Sequence, residues 1–270
     1  VGTSTNDHLG GGAVSHVIPL SNGNYLVVDP EWDNVGIADA GSITWVDGTT
    51  GITGTISAAN SLVGSSAGDM LGSNSVYELT NGNYVVVSTG WDNGAITDAG
   101  AVTWGDGTAG LTGVISSANS LVGTSINDLI GSGGVTTLSN GNYVVSSPMW
   151  NNGAITEAGA STWADGTTGL AGNVSTSNSL YGLTNSDHVG SGAIEIGGNT
   201  YVVVSQDWDN GAIADAGAVT LASTITGITG GVTTANSLVG ASAGSYVGSG
   251  GIASVGTGKF IILSPDWNDG

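Results

Sequence analysis

The chain has no cysteine, no arginine, one lysine (Lys259), one phenylalanine and four prolines in 270 residues. Against that single basic side chain stand 21 acidic ones, for a formal net charge of −20. A surface so poor in cations cannot neutralise a row of phosphates, which excludes nucleic acid as a partner. A polybasic membrane-surface patch is excluded for the same reason. No apolar run approaches the ~18 residues a spanning helix needs, so no membrane insertion is expected. No signal peptide opens the chain, and the start at Val1 is expected to mark a processed protein or an excised piece. Absent cysteine removes disulfide staples as a source of stability. One lysine leaves trypsin one cleavage point, which suits an extracellular or cell-surface location.

What the chain has in plenty is glycine, 49 residues of it, with Ser, Thr and Asn filling the rest of the polar surface. Val, Ile, Leu and Trp are numerous and regularly placed, unlike a disordered composition. The regularity is a repeat. Tyr25, Tyr84, Tyr143, Tyr201 and Phe260 open the most apolar runs at spacings of 59, 59, 58 and 59, and seven residues after each stands Trp32, Trp91, Trp150, Trp208 or Trp267. The chain is about four and a half copies of one unit: 1–62, 63–121, 122–180, 181–238 and a partial 239–270.

Each unit reads as four short strands. The first is Gly-rich, as in Leu129–Leu138, and leads to an Asn-Gly turn (Asn22-Gly23, Asn81-Gly82, Asn140-Gly141), a strong hairpin signal. The second, Tyr84–Ser88 or Tyr201–Ser205, is nearly continuous Val, which argues burial on both faces. A loop follows, Trp-Asp-Asn-Gly in the second and fourth copies. The third strand alternates, as in Ala99–Trp104, and the fourth is expected near Leu111–Ser117. Helical periodicity is absent, so the fold class is all-β. Four antiparallel strands cannot bury both faces alone. Radial stacking of about five such blades, the last incomplete, gives a β-propeller; a β-solenoid is the alternative.

These motifs resemble FG-GAP repeats, the blades of integrin α-chain propellers and of related bacterial surface proteins. Gly68-Asp69-Met70-Leu71-Gly72 and Asn127-Asp128-Leu129-Ile130-Gly131 are similar to the family's Gly-Asp-x-Phe-Gly opening. Val28-Asp29-Pro30, Ser147-Pro148 and Ser264-Pro265 are similar to its Gly-Ala-Pro, and Ala99–Trp104 to its Ala-Gly-x-Val-Tyr. The resemblance implies a propeller with a Ca²⁺ loop between the first two strands. Here Asn-Gly-Asn stands in place of that acidic loop and offers none of the carboxylates such a site needs.

The candidate ligand-binding residues are Trp32, Asp33, Trp91, Asp92, Trp150, Asn151, Trp208 and Asp209. An indole beside a carboxylate and amides suits a sugar, whose C–H face stacks while its hydroxyls are hydrogen-bonded. The candidate metal ligands, for Ca²⁺, are Asp39, Asp98, Glu157, Asp207, Asp209 and Asp215. The competing reading wedges each Trp between blades and spends Asp and Asn on turn backbone. A second series, Trp45, Trp104 and Trp163, becomes Leu221 in the fourth copy, which points to packing. Asp7, Asp69, Asp128 and Asp187, with Ser245 in the fifth copy, are expected to tie loops together. His8 and His188 share a slot with Met70, Leu129 and Tyr246, and so read as packing positions; His16 lies in a three-residue insertion of the first unit. Gly64-x-Ser66-x-Gly68 and Gly240-x-Ser242-x-Gly244 match a nucleophile elbow in form only, lacking the strand-to-helix context. Asn173-Val174-Ser175 is a lone glycosylation sequon. No catalytic apparatus is evident.

The functional expectation is a non-enzymatic structural or adhesive module presenting a ring of equivalent loops. A multivalent lectin, or a subunit of an extracellular filament or array, is the alternative. Glycans, surface proteins and further copies of the chain are the partners such surfaces admit.

Overall fold

The computed structural model of the protein describes residues 16–267, so Asp7, His8 and Asn268–Gly270 lie outside the described residues. The described residues contain strands and turns and no helix. Copy one supplies β1 (His16–Pro19), β2 (Tyr25–Asp29), β3 (Ser42–Val46) and β4 (Leu62–Val63). Copy two supplies β5 (Ser75–Glu78), β6 (Tyr84–Ser88), β7 (Ala101–Gly105), β8 (Gly113–Val114) and β9 (Ser120–Val122). Copy three supplies β10 (Val135–Thr137), β11 (Tyr143–Ser147), β12 (Ala160–Ala164), β13 (Gly172–Asn173) and β14 (Ser179–Tyr181). Copy four supplies β15 (Gly192–Gly197), β16 (Thr200–Ser205), β17 (Ala218–Ser223), β18 (Gly230–Gly231) and β19 (Ser237–Val239), and the partial copy adds β20 (Gly251–Gly256) and β21 (Lys259–Leu263).

Each full copy builds an antiparallel meander, such as β5-β6-β7-β9, with its strands in chain order. The second strand is buried throughout in copies two and three, as continuous Val requires. Two expectations need correction. The first strand is shorter than Leu129–Leu138, because Leu129 takes a left-handed φ of 45° and a turn precedes β10. The fourth strand is not Leu111–Ser117 but Ser120–Val122, where Ser-Leu-Val is fully buried against β7. Within Leu111–Ser117 only the dipeptide β8 forms a ladder, and it pairs in parallel with β4 of the preceding copy. The dipeptides β13 and β18 pair in the same way with β9 and β14. Each of the first three sheets therefore borrows two residues from the copy that follows.

The hairpins form where Asn-Gly predicts them, by a different turn. Gly23 N donates to Leu20 O at 3.0 Å and Gly23 alone takes positive φ, 90°. That is a type I turn closed by a left-handed glycine, the usual three-residue solution, rather than a two-residue mirror-image turn.

By packing the described chain divides into two units, one ending at Gly131 and including Asp165–Asn173, the other formed by Ser132–Ala164 and the chain from Val174. The first unit has a core where Leu26, Val28, Ile43 and Leu62 of copy one meet Tyr84, Val86, Ala101 and Ile115 of copy two. In the second unit Val144 and Leu180 of copy three meet Tyr201, Val203, Ala218 and Val232 of copy four. A smaller cluster there packs Val202, Val219 and Val247 against Ile252, Phe260 and Ile262 of the terminal hairpin. The face of a copy thus belongs to its neighbour's core, and burial of that face is what one copy alone cannot achieve.

Candidate functional site

The Trp loop leaves the second strand and returns to the third. Its Trp amide donates to the last residue of the second strand (Trp91 N to Ser88 O, 3.2 Å) and its carbonyl accepts from the Gly that opens the third (Gly100 N, 2.9 Å). Between them Asn93 and Ile96 exchange backbone bonds of 3.0 and 3.2 Å. The residue after Trp caps this loop: Asp33 Oδ1 accepts the Asp39 amide, Asp92 the Asp98 amide, Asn151 the Glu157 amide and Asp209 the Asp215 amide, at 2.8–3.0 Å. Asp39, Asp98, Glu157 and Asp215 all take φ of 51–52°, a left-handed conformation that the cap sustains. The second Asn reaches the strand-four exit, as Asn93 Nδ2 donates to Gly123 O at 3.0 Å.

The four indoles are 1–4 % exposed. They belong to the core and present no open face on which a sugar would stack. Trp91 Nε1 donates to Ser65 Oγ at 3.1 Å, whereas Trp32, Trp150 and Trp208 Nε1 are buried with no partner among the described residues. At the position equivalent to Ser65 copy four meets Leu183, which cannot accept. Beside Trp208 opens a cleft of ≈ 250 Å³ lined by Leu183, Thr184, Asp209, Asn210, Val232 and Thr233.

The candidate metal ligands do not converge. Among the described residues no three His, Asp or Glu side chains are grouped to hold a metal. Asp207 instead faces His188, with Nδ1 3.1 Å from Asp207 Oδ2 and Nε2 3.3 Å from Glu157 Oε2. The two carboxylates sit on opposite edges of the imidazole, so they cannot share one ion with it. Asp215 Oδ2 accepts from Tyr246 Oη at 3.3 Å. The slot read as packing is therefore a polar bridge in copies with His188 and Tyr246, and apolar with Met70 and Leu129. The sequence signal was available: acids recur seven residues after each Trp, within reach of that slot.

Asp69, Asp128 and Asp187 are fully buried. Asp69 Oδ2 accepts the amides of Ser65 and Ser66 at 2.7 and 2.8 Å, and its Oδ1 accepts the Asp92 amide at 3.0 Å. Asp187 does the same for Leu183, Thr184 and Asp209. Each ties the turn after one fourth strand to the next Trp loop. Burial pushes the Asp69 carboxyl above its usual range, partly opposed by the amides of Asp92, Ser66 and Ser65.

The second Trp series carries a contact the sequence reading missed. Gly107 O accepts from Asn22 Nδ2 (2.7 Å), Asn24 Nδ2 (3.0 Å) and Trp45 Nε1 (3.0 Å). Asn81, Asn83 and Trp104 close on Gly166 O, and Asn140, Asn142 and Trp163 on Thr224 O. Two hairpin amides and one indole thus clamp a single carbonyl of the following copy. The hairpin Asn-Gly-Asn, which offers no carboxylate for a metal, is half of this clamp. Gly110 makes room for it: a Cβ there would lie 2.5 Å from Trp45 Cβ, and its φ is 74°. Copy four lacks both halves, with Gly197-Gly198-Asn199 in the hairpin and Leu221 for Trp. The clamped carbonyl sits in a turn held by Asp106, whose carboxyl the Thr108 hydroxyl and amide hold below the usual range. Asp47 and Asp165 are lowered by Thr49 and Thr167 in the same manner.

A family model described as a repeat of unknown function (DUF5650) matches residues 19–73, 78–132, 137–191 and 196–249. Comparison with curated proteins finds no match.

Proposed function

The chain belongs to this family of repeats of unknown function, and on that premise we propose a non-enzymatic structural or adhesive module of the extracellular space or cell surface. The finer part of the proposal is that the copies are blades of a β-propeller of about five, the last incomplete, akin to FG-GAP propellers. Four-stranded meanders in chain order support it, since that is a blade's topology. The observation that carries the reading is the clamp. In three successive junctions the recurring polar side chains hold one copy to the next rather than facing a substrate.

Adhesion would then come from many equivalent weak contacts on the exposed loops. The test coats beads with the intact chain at high density. Beads are expected to be retained on glycan- or protein-coated surfaces while soluble chain competes poorly. Absence of retention on every surface tried overturns the adhesive reading. Electron microscopy of the intact chain tests the ring, and an open arrangement of copies overturns the propeller.

A second reading has one observation in its favour. The Trp208 cleft combines the apolar side chains of Leu183 and Val232 with the polar residues Thr184, Asp209, Asn210 and Thr233. It suits a small hydroxylated ligand such as a monosaccharide, which fills the cleft without stacking on the buried ring. Amide shifts confined to Thr184 and Asp209–Gly211 on titration with monosaccharides are expected on this reading.

A further inference from the structure

The dipeptide Asn-Gly stands at Asn22, Asn81 and Asn140 in the hairpin turns and at Asn93, Asn152 and Asn210 in the Trp loops. It is chemically fragile. Asparagine is thermolabile, and glycine, with no Cβ, lets its own backbone nitrogen come close to the preceding side chain.

The two sets sit in different surroundings. In the hairpins the Gly23, Gly82 and Gly141 amides donate to Leu20, Leu79 and Leu138 O at 3.0, 2.9 and 3.0 Å. The asparagine side chains are held as well. Nδ2 of Asn22, Asn81 and Asn140 donates across the junction at 2.7–2.9 Å, and their Oδ1 accepts the Asn24, Asn83 and Asn142 amides at 3.0–3.1 Å. In the Trp loops Asn93, Asn152 and Asn210 close a two-residue turn on Ile96, Ile155 and Ile213. There Gly94, Gly153 and Gly211 are exposed, with open space at the Cβ position. No bond from their amides is present among the described residues. Copy one closes its turn between Asn34 and Ile37, but Val35 stands in place of the glycine, 94 % exposed and at a φ of 46°.

We propose that Asn93, Asn152 and Asn210 are sites of spontaneous conversion to aspartate and isoaspartate in the folded chain, and that the clamp shields Asn22, Asn81 and Asn140 from the same reaction. The glycine nitrogen gives its proton to solvent base and attacks the asparagine Cγ. A new N–Cγ bond closes a five-membered imide, the Cγ–Nδ2 bond breaks, and Nδ2 leaves as ammonia. Water then opens the imide at either carbonyl, giving aspartate or isoaspartate. In the hairpins the attacking N–H and both ends of the side chain are committed to bonds, which must open before the ring can close. At Asn34 the branched Val35 side chain crowds the attacking nitrogen. Conversion has a structural consequence. Asn93 and Asn210 Nδ2 donate to Gly123 O and Gly240 O at 3.0 and 3.1 Å, and a carboxylate cannot donate there. Each event thus releases a Trp loop from the strand-four exit and adds a charge to a chain already at −20. The exposed loops change with age while the junctions stay intact.

The test incubates the intact folded chain in mildly alkaline buffer and maps peptic peptides by mass spectrometry, with isoaspartate methyltransferase labelling as a second readout. Asn93, Asn152 and Asn210 are expected to convert on the order of tenfold or more faster than Asn22, Asn81 and Asn140, because the latter must first open locally. Asn34 is expected to stay intact. In concentrated urea the hairpin and loop sites should converge on one rate. Gly94→Ala should slow Asn93 alone, with Asn152 and Asn210 of the same molecule as internal references. Val35→Gly relieves a strained φ and should switch on conversion at Asn34. Equal rates for hairpin and loop sites in the folded chain overturn the proposal. Loop sites that stay intact while the urea-unfolded chain converts overturn it too, as does an Asn34 that stays inert after Val35→Gly.

Discussion

Trp45 Nε1 donates to Gly107 O at 3.0 Å across 62 residues of chain. The indole also lies over Gly110, so one side chain supplies both a hydrogen bond and a packing surface to the next copy. Trp45→Phe keeps most of the surface and removes the donor, and should cost about 1 kcal/mol in urea unfolding. Trp45→Leu, which copies the fourth repeat, should cost ~2–3 kcal/mol because ring volume goes as well. Leu221→Trp should yield no comparable gain, since no described carbonyl awaits it.

Gly100 takes φ of 73°, and a Cβ there would lie 2.2 Å from Ile130 N. The neighbour is backbone and cannot yield. Gly100→Ala should therefore destabilise by more than about 2 kcal/mol, combining a left-handed strain with a clash. Gly94, with open space around its Cβ position, isolates the strain alone. Gly94→Ala should cost only about 1 kcal/mol on the same denaturation curve.

Asp128 Oδ2 accepts the amides of Thr124 and Ser125, both at 2.8 Å. Asp128→Ala orphans them, at a cost of ~2–3 kcal/mol. Asp128→Ser should cost less, because Ser245 fills the equivalent slot and donates its hydroxyl to Ser242 O at 2.8 Å. Thermal melts of the two variants at one pH give the comparison.

Two sets of carboxyls should respond to acid with opposite sign. Asp106 and Asp165 are lowered by threonine bonds, so their contribution is present above the unfolded-state value near 3.8 and is lost as pH falls through the lower folded value. Asp69 is raised by burial, so protonating it as pH falls through its folded value adds stability instead. Asp106→Asn should flatten the acid limb of the stability curve, and Asp69→Asn should steepen it. Urea midpoints across the carboxylate range, roughly pH 2 to pH 6, supply the readout.

His188 bridges Glu157 and Asp207 from opposite ring edges at 3.3 and 3.1 Å, all three groups being partly exposed. His188→Leu installs the residue that copy three carries as Leu129. The change in stability should stay under ~1 kcal/mol and shrink in high salt, as solvent-screened pairs do.

Much of the fold was legible because it is written four times over, with part of a fifth. Spacing located the Tyr and Trp anchors, and continuous Val gave β6 its ends. The fourth strand was misplaced because Leu111–Ser117 looks more strand-like than Asn119–Val122. What buries Ser120 is Thr103, whose hydroxyl meets it at 2.6 Å, a pairing 17 residues apart that no local pattern reveals. The Trp loop carries two readings in the sequence, a ligand site and a packed, capped turn, and the choice between them depends on burial of the indole, which no local pattern reveals. The clamp escaped notice because its donors and acceptor lie 62–85 residues apart. Its signature was nonetheless present, since Asn-Gly-Asn and Trp vanish together in copy four.

The two-residue ladders from β8, β13 and β18 mean that no cut between copies yields a whole sheet. An isolated 59-residue unit would lack the dipeptide its own fourth strand expects and would carry one with nowhere to bind. Melting should accordingly be shared over neighbours, with fragments of a single copy unstructured and longer runs acquiring cooperativity. The indivisible element of this protein is the overlap, not the repeat.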